Sequence, residues 1–230
     1  MNLRRLEALA ERGRRLARPG PSARGDWYRI TAAGDDRAEV FIYGTIGDDW
    51  NEDGVTAASF VKGLRAITAP RIDLHLNSPG GLVFDGVAIY SALRNHPAAV
   101  TSFVDGVAAS AASFVAMAGE EIVIEKPAKM MIHDANGLVL GNAADMREMA
   151  DLLDDLSDTI AGIYADRAGK TVAHWRAAMR AQTWYGAAEA VAAGLADRVA
   201  GDGKQNGKAA PEDRRSQLVR ARARVALGGV

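Results

Sequence analysis

Ile72-Asp73-Leu74-His75-Leu76-Asn77-Ser78-Pro79-Gly80-Gly81 begins with apolar residues at every second position and ends in a Pro-Gly-Gly turn. Period two is the mark of a half-buried strand, and the pattern from Leu82 onward is helical, so the stretch reads as strand, tight turn, helix. In an open α/β sheet the carboxyl ends of strands are where ligands bind. A turn entering a helix presents unpaired backbone N–H groups to negative charge, and glycine lets another backbone come close. Taken alone, a Gly-Gly turn is more often a plain connection.

Two further stretches follow the same plan. Asp105-Gly106-Val107-Ala108-Ala109-Ser110-Ala111-Ala112-Ser113 reads as a strand-to-helix turn with small residues packed on both sides of Ser110. A serine there can draw an oxyanion donor from the N–H that follows it, although a serine before a helix is commonly just an N-cap and the Gly-x-Ser-x-Gly elbow pattern is absent. Lys129-Met130-Met131-Ile132-His133 is a short apolar strand that ends in an imidazole. Of the four histidines, His75 lies inside a strand, His96 closes a helix before Pro97, and His174 sits in a polar helical stretch, which leaves His133 best placed to meet Ser110.

Working outward, β-rich runs at Val40 to Ile46, Ile72 to Asn77, Val100 to Val104, Ile122 to Glu125 and Met130 to His133 alternate with helical patterns. The helical patterns are Val83 to Leu93, Ser110 to Ala118 and a long segment from about Ala143 to Ala168. This alternation predicts an α/β fold with a largely parallel sheet, whose strand ends would bring the three turns to one edge. On the long segment, Met146, Met149, Leu153, Leu156, Ile160 and Ile163 recur at spacings of three and four, an apolar seam that faces either its own sheet or a second subunit.

With 230 residues, 48% hydrophobic, the chain is long enough for one substantial core, and a formal net charge of -1 gives no footing to a nucleic-acid partner. The absence of cysteine excludes disulfides, thiolate metal sites and Cys nucleophiles and fits a reducing, cytoplasmic setting. No apolar run approaches membrane-span length, and the Arg-studded start lacks the apolar core of a signal peptide. The expected organisation is a basic N-terminal arm over 1–37, one folded α/β domain over 38–200, and a polar linker with an Arg-rich tail over 201–230.

The conjunction of Leu76-Asn77-Ser78-Pro79-Gly80-Gly81, Gly106-Val107-Ala108-Ala109-Ser110 and Met131-Ile132-His133 resembles the ClpP peptidase family, in order and in spacing, from Val40 to Val199. Thr183-Trp184-Tyr185-Gly186-Ala187-Ala188-Glu189-Ala190, with Gly194-Leu195-Ala196-Asp197, is similar to that family's C-terminal region. The resemblance implies the ClpP/crotonase-like ββα superhelix with a protruding long helix. It also implies a serine endopeptidase working inside a homo-oligomeric ring, with Ser110 as nucleophile, His133 as general base, the N–H groups of Gly81 and Ala111 as oxyanion hole, and no metal or cofactor. The position of the family's triad aspartate falls on Gln182, whose amide can hold a histidine tautomer but carries no charge to stabilise the imidazolium. Asp155 and Asp158 on the long helix are alternative third partners, and Asp134 is a poor one because neighbouring strand residues face opposite ways.

The implied substrate is an unfolded polypeptide, with either an ATP-driven unfoldase or a phage scaffold protein as partner. The Thr183-Trp184-Tyr185 segment and the charged tails are more similar to the phage head maturation group, whose setting is the prohead. Two alternatives stand beside this: a catalytically degenerate ring protein, suggested by Gln182, and a crotonase-type acyl-CoA enzyme, which shares the fold and the paired N–H donors but needs neither Ser110 nor His133.

Overall fold

The computed structural model describes residues 28–32, 36–47 and 56–202. The chain divides into two compact units, residues 1–200 and 201–230, and all the strands and helices below belong to the first. The expected basic helix near the N-terminus and the Arg-rich tail lie outside the described residues.

Among the described residues eight strands form one sheet: β1 (Tyr28–Ala32), β2 (Arg37–Tyr43), β3 (Arg71–Ser78), β4 (Ala99–Ala109), β5 (Glu121–Ile124), β6 (Lys129–Ile132), β7 (Thr183–Gly186) and β8 (Arg198–Val199). Pairings β2–β3, β3–β4, β4–β5, β4–β6 and β5–β8 are parallel, whereas β1–β2 and β6–β7 are antiparallel. The largely parallel sheet expected from the alternation of patterns is therefore present. Its edge begins earlier than the expected boundary at residue 38: Tyr28–Ala32, assigned to the arm, pairs in register with Ala38–Ile42 as β1. Alternation there is weak, which is why the strand is hard to see among the polar residues around it.

The helices are α1 (Ala57–Arg65), α2 (Val83–Arg94), α3 (Ala111–Ala116), α4 (Ala143–Ala168), α5 (Val172–Arg180) and α6 (Ala187–Ala193). Local chemistry sets their ends. The Asn142 side chain accepts from the Ala144 and Asp145 N–H groups while Asp145 accepts from the Asn142 N–H, a reciprocal cap that starts α4, and Gly169 at φ 74° stops it. Thr56 and Thr171 cap α1 and α5 one-sidedly, their hydroxyls accepting from the Ser59 and His174 N–H groups. The core joins the inward side chains of β2–β6 (Val40, Ile42, Leu74, Leu76, Val104, Met130, Ile132) to Phe60, Phe114, Tyr164 and Trp175 from the helices. Burying each such apolar side chain contributes on the order of 2 kcal/mol.

Two features position the site. First, β4 runs on through Asp105-Gly106-Val107-Ala108-Ala109, where a turn was expected, and changes neighbour on the way: Thr101–Val104 pair with β5 and Val107–Ala109 with β6. Second, the seam on α4 divides. Ser157, Ile160, Ala161 and Tyr164 are buried, yet residues 143–156 contain no buried side chain, and Met146 and Leu152 stay 50% and 41% exposed. The long helix thus packs on the domain through its second half and extends from it through its first.

Candidate active site

Ser110 is the single residue between β4 and α3, and it takes φ 52°, ψ -125°. Among non-glycine residues of the described chain only Gln182 shares a positive φ, and such a backbone costs on the order of 1–3 kcal/mol that the surroundings must supply. The Ser110 side chain makes no cap hydrogen bond to α3, so the N-cap reading falls. Instead the sharp strand-to-helix turn lifts the hydroxyl out of the fold, as in a nucleophile elbow built without its glycines. The turn is tied down on three sides. Ser110 N–H donates to the Met131 carbonyl at 2.9 Å, Ser113 N–H donates to the Ser110 carbonyl at 3.0 Å, and Ser113 Oγ donates to that carbonyl at 2.5 Å.

Beneath it, Ser113 Oγ lies 2.7 Å from the Tyr164 hydroxyl. Because Ser113 spends its proton on the Ser110 carbonyl, the Tyr164 O–H is the donor in this pair. Tyr164 is buried in the core, and burial holds its phenol well above the usual range, so it remains a donor at any ordinary pH. A chain of two hydrogen bonds therefore runs from α4 to the backbone of Ser110.

His133 follows the last residue of β6, and its Nε2 is 2.7 Å from Ser110 Oγ. The parallel pairing of Val107–Ala109 with Lys129–Met131 brings the two together, since Ser110 follows Ala109 and His133 lies one step past the position opposite Ser110. With Nε2 accepting from the serine, the neutral ring carries its proton on Nδ1. Gln182 stands one register step beyond the β6–β7 pair Ile132–Thr183, opposite His133, at φ 49° and exposed. Among the described residues, however, neither Gln182 nor Asp155 makes a side-chain hydrogen bond to the ring. Asp134 and Asp158 are engaged elsewhere, each within 2.8 Å of the Arg176 guanidinium.

The Asn77–Gly81 turn lies against the elbow. A Cβ on Gly80 would sit 2.6 Å from Ser110 Cβ and 2.8 Å from Ala111 N, and one on Gly81 would overlap the Ile46 backbone. Buried Ser78 braces the turn, donating to the Gly44 carbonyl at 2.6 Å and accepting from Gly80 N–H at 3.1 Å. Ile46 N–H donates to the Gly80 carbonyl and Leu82 N–H to the Ile46 carbonyl. These bonds pass over the Gly81 and Ala111 N–H groups, which have no acceptor among the described residues. Exposed Leu82, Phe84 and Trp184 belong to the segments flanking these turns.

Sequence patterns missed the supports at Ser113, Tyr164 and Arg176, and a second cluster on the outer face of the sheet. There His75 is stacked between Phe41 and Phe103, its Nδ1–H donating to Asp105 Oδ2 at 3.0 Å, and the Tyr43 hydroxyl donates to the same oxygen at 2.6 Å. The hydrogen bond to Asp105 raises the His75 pKa despite its partial burial, and desolvation, with its own hydrogen bond to Asp105, pushes Tyr43 up to about 12. His96 is structural, with Nε2 donating to the Leu64 carbonyl and Nδ1 accepting from Ala98 N–H. Among the described residues no group of three or more His, Asp or Glu side chains is placed to hold a metal ion, and no helix is long and apolar enough to cross a membrane.

The sequence pattern of the Clp protease family matches residues 22–203, most of the chain and all of the site. The chain belongs to the Clp protease family. Among its relatives, the ATP-dependent Clp protease proteolytic subunit of Chlorella vulgaris is 31% identical over 133 residues, 57% of this chain and 66% of that protein. Proteolytic subunit 1 of Leifsonia xyli is 32% identical over 130 residues, 56% of this chain and again 66% of the relative. Proteolytic subunit 3 of Streptomyces coelicolor is 32% identical over 165 residues, 70% of this chain and 74% of the relative. The chain thus spans just under two thirds of the first two. The mixed α/β architecture with its mostly parallel sheet is the ClpP-like fold.

Proposed function

We propose that this chain is a serine endopeptidase in which Ser110 is the nucleophile and His133 the general base, acting on unfolded polypeptides within a homo-oligomeric ring. The observation that carries the reading is the 2.7 Å contact between His133 Nε2 and Ser110 Oγ at a strained turn, beside two N–H groups without acceptors among the described residues. Ser110 Oγ attacks the peptide carbonyl as its proton passes to Nε2. The carbonyl oxygen becomes an oxyanion within reach of the Gly81 and Ala111 N–H groups, each such donor being worth about 3 kcal/mol in the transition state. The imidazolium then returns its proton to the leaving amine, and water, deprotonated by the same nitrogen, releases the acyl group. Neither metal nor cofactor enters these steps.

Gln182 stands where the third member is expected, and its side-chain oxygen offers Nδ1–H an acceptor without charge. In a serine protease triad, exchanging the aspartate for its amide lowers turnover about 10⁴-fold, so a slow enzyme is expected here. Ring assembly is supported by the uncovered apolar residues on the first half of α4 together with Leu138 and Leu140, which are 92% and 74% exposed. A ring chamber would admit unfolded or threaded chains, delivered by an ATP-driven unfoldase in the cytoplasm or presented as a scaffold protein in a phage prohead. Crotonase-type chemistry has no use for the Ser110–His133 contact.

Two measurements test this. Cleavage of an unfolded protein that disappears in Ser110→Ala, with the ring retained in sedimentation, is the expected result. Equal cleavage by Ser110→Ala would remove Ser110 from the chemistry, and a monomer at every concentration would remove the ring.

A further inference from the structure

We infer that Arg176 is a positioning residue for His133, acting through the carboxylate of Asp134; the inference rests on His133 being the general base. The ring of His133 sits on a segment that has already left β6: residues 133–135 belong to no strand or helix. Two contacts from other elements hold that segment. Asp134 Oδ1 accepts from Arg176 Nη1 at 2.7 Å, and Ala135 N–H donates to Ser157 Oγ at 2.9 Å. Ser157 in turn donates to the Leu153 carbonyl within α4.

The guanidinium is fixed from the far side as well. Its side chain is 6% exposed, Nη2 donates to Asp154 Oδ1 at 2.7 Å, and Nε lies 2.8 Å from Asp158 Oδ1, close enough for an ion pair though without hydrogen-bond geometry. Asp154 and Asp158 are one turn apart on α4, so Arg176, from α5, joins that helix to the residue after His133. A planar fork satisfied by several carboxylates has little freedom to swing, unlike a lysine. Packing of α5 on α4 does not depend on this, because Trp175 and Tyr164 meet there with ring centroids 5.7 Å apart and both are buried. What the ion cluster adds is a fixed direction for Asp134. His133 reaches Ser110 while the adjacent Asp134 reaches Arg176, so holding the carboxylate restricts rotation of the backbone that carries the imidazole and keeps it aimed at Ser110. The chain lacks the carboxylate expected at residue 182, and a brace through residue 134 orients the ring without touching it.

The test compares Asp134→Asn, Arg176→Lys and Glu121→Gln, the last breaking the Arg198–Glu121 ion pair, which has no part in the cluster. Two readouts are taken on the full chain: the rate of fluorophosphonate modification of Ser110, resolved into probe affinity and maximal rate, and the imidazole resonances of His133 by NMR, assigned with His133→Gln. Expected is a maximal rate about tenfold lower in Asp134→Asn and Arg176→Lys at unchanged probe affinity, the scale of a misaimed catalytic group, with broadened or doubled His133 resonances; Glu121→Gln changes neither much. Wild-type rate with a single sharp His133 resonance in Asp134→Asn would overturn the inference. Should Arg176→Lys fail to fold, Asp134→Asn, at a partly exposed site, decides. If wild-type Ser110 takes no probe, the peptidase reading fails, and the His133 resonances alone judge whether Asp134 holds the ring.

Discussion

Gly80 is where the two turns of the site press together, and adding one methyl group there is a quantitative test of that contact. In Gly80→Ala the new Cβ would lie 2.6 Å from Ser110 Cβ, 2.7 Å from the Ala109 carbonyl oxygen and 2.8 Å from Ala111 N, and the backbone would have to keep φ 97°. None of these neighbours is the free end of a flexible chain; all belong to the elbow itself. Holding a side-chain-bearing residue at such a φ costs about 1–3 kcal/mol. Overpacking adds about 1–3 kcal/mol more, since something must move by several tenths of an ångström. The sum, about 2–6 kcal/mol, is a large share of the roughly 5–15 kcal/mol that stabilises a typical domain. Whatever yields, Ser110 moves relative to His133, so probe labelling should fall by at least about tenfold. Urea unfolding followed by tryptophan fluorescence, with labelling of Ser110 in parallel, measures both effects. Gly162→Ala is the control: a Cβ there meets nothing within 4 Å on α4, and the helix should gain about 0.5–1 kcal/mol. If Gly80→Ala unfolded within about 1 kcal/mol of wild type and labelled normally, the packing argument for the elbow would be wrong.

Three further outcomes follow from the same geometry. Tyr164→Phe removes the donor to Ser113 Oγ and should cost about 1 kcal/mol in unfolding free energy while slowing Ser110 labelling; unchanged labelling would show that the two-bond chain does not steady the nucleophile. Gln182→Asp places a charge opposite His133 and should raise peptide hydrolysis, whereas no change would mean that the ring is held from elsewhere. For His75, whose folded pKa is raised by Asp105, the charged form is the stabilised one: its contribution is complete below about pH 6.5 and is lost as pH rises through the folded value. His75→Gln should therefore lower the urea midpoint more at pH 6 than at pH 8.5, and an equal drop at both would contradict the Asp105 pairing.

The site's main residues were legible because each is written in a local pattern. Strand alternation up to Leu76, the Gly-Gly turn, small residues around Ser110 and the apolar run before His133 all act over fewer than ten neighbours, and their order places them on one sheet edge. What stayed hidden depends on partners far along the chain. Ser113 and Tyr164 are 51 residues apart, and Asp134 and Arg176 are 42 apart, separations at which a polar side chain gives no sign of its partner. The extension of β4 through Gly106 was hidden for another reason. Glycine and alanine are poor strand formers, and what makes them a strand is backbone pairing with Lys129–Met131 and Ser78, while Gly106 leaves room for Asn77, whose Oδ1 would lie 2.6 Å from a Cβ there. β1 was lost because its residues are only half-buried, leaving little apolar alternation to read.

The central claim is that Ser110 is an activated nucleophile, and covalent capture tests it most directly. Purified protein is treated with a fluorophosphonate probe and the adduct located by peptide mass mapping, with Ser110→Ala and His133→Gln alongside. The account predicts one adduct, on Ser110, absent from the alanine variant and strongly reduced without His133. An intact, assembled protein that takes no probe, or takes it equally without His133, would contradict the account and leave a Clp-family scaffold that does not cut.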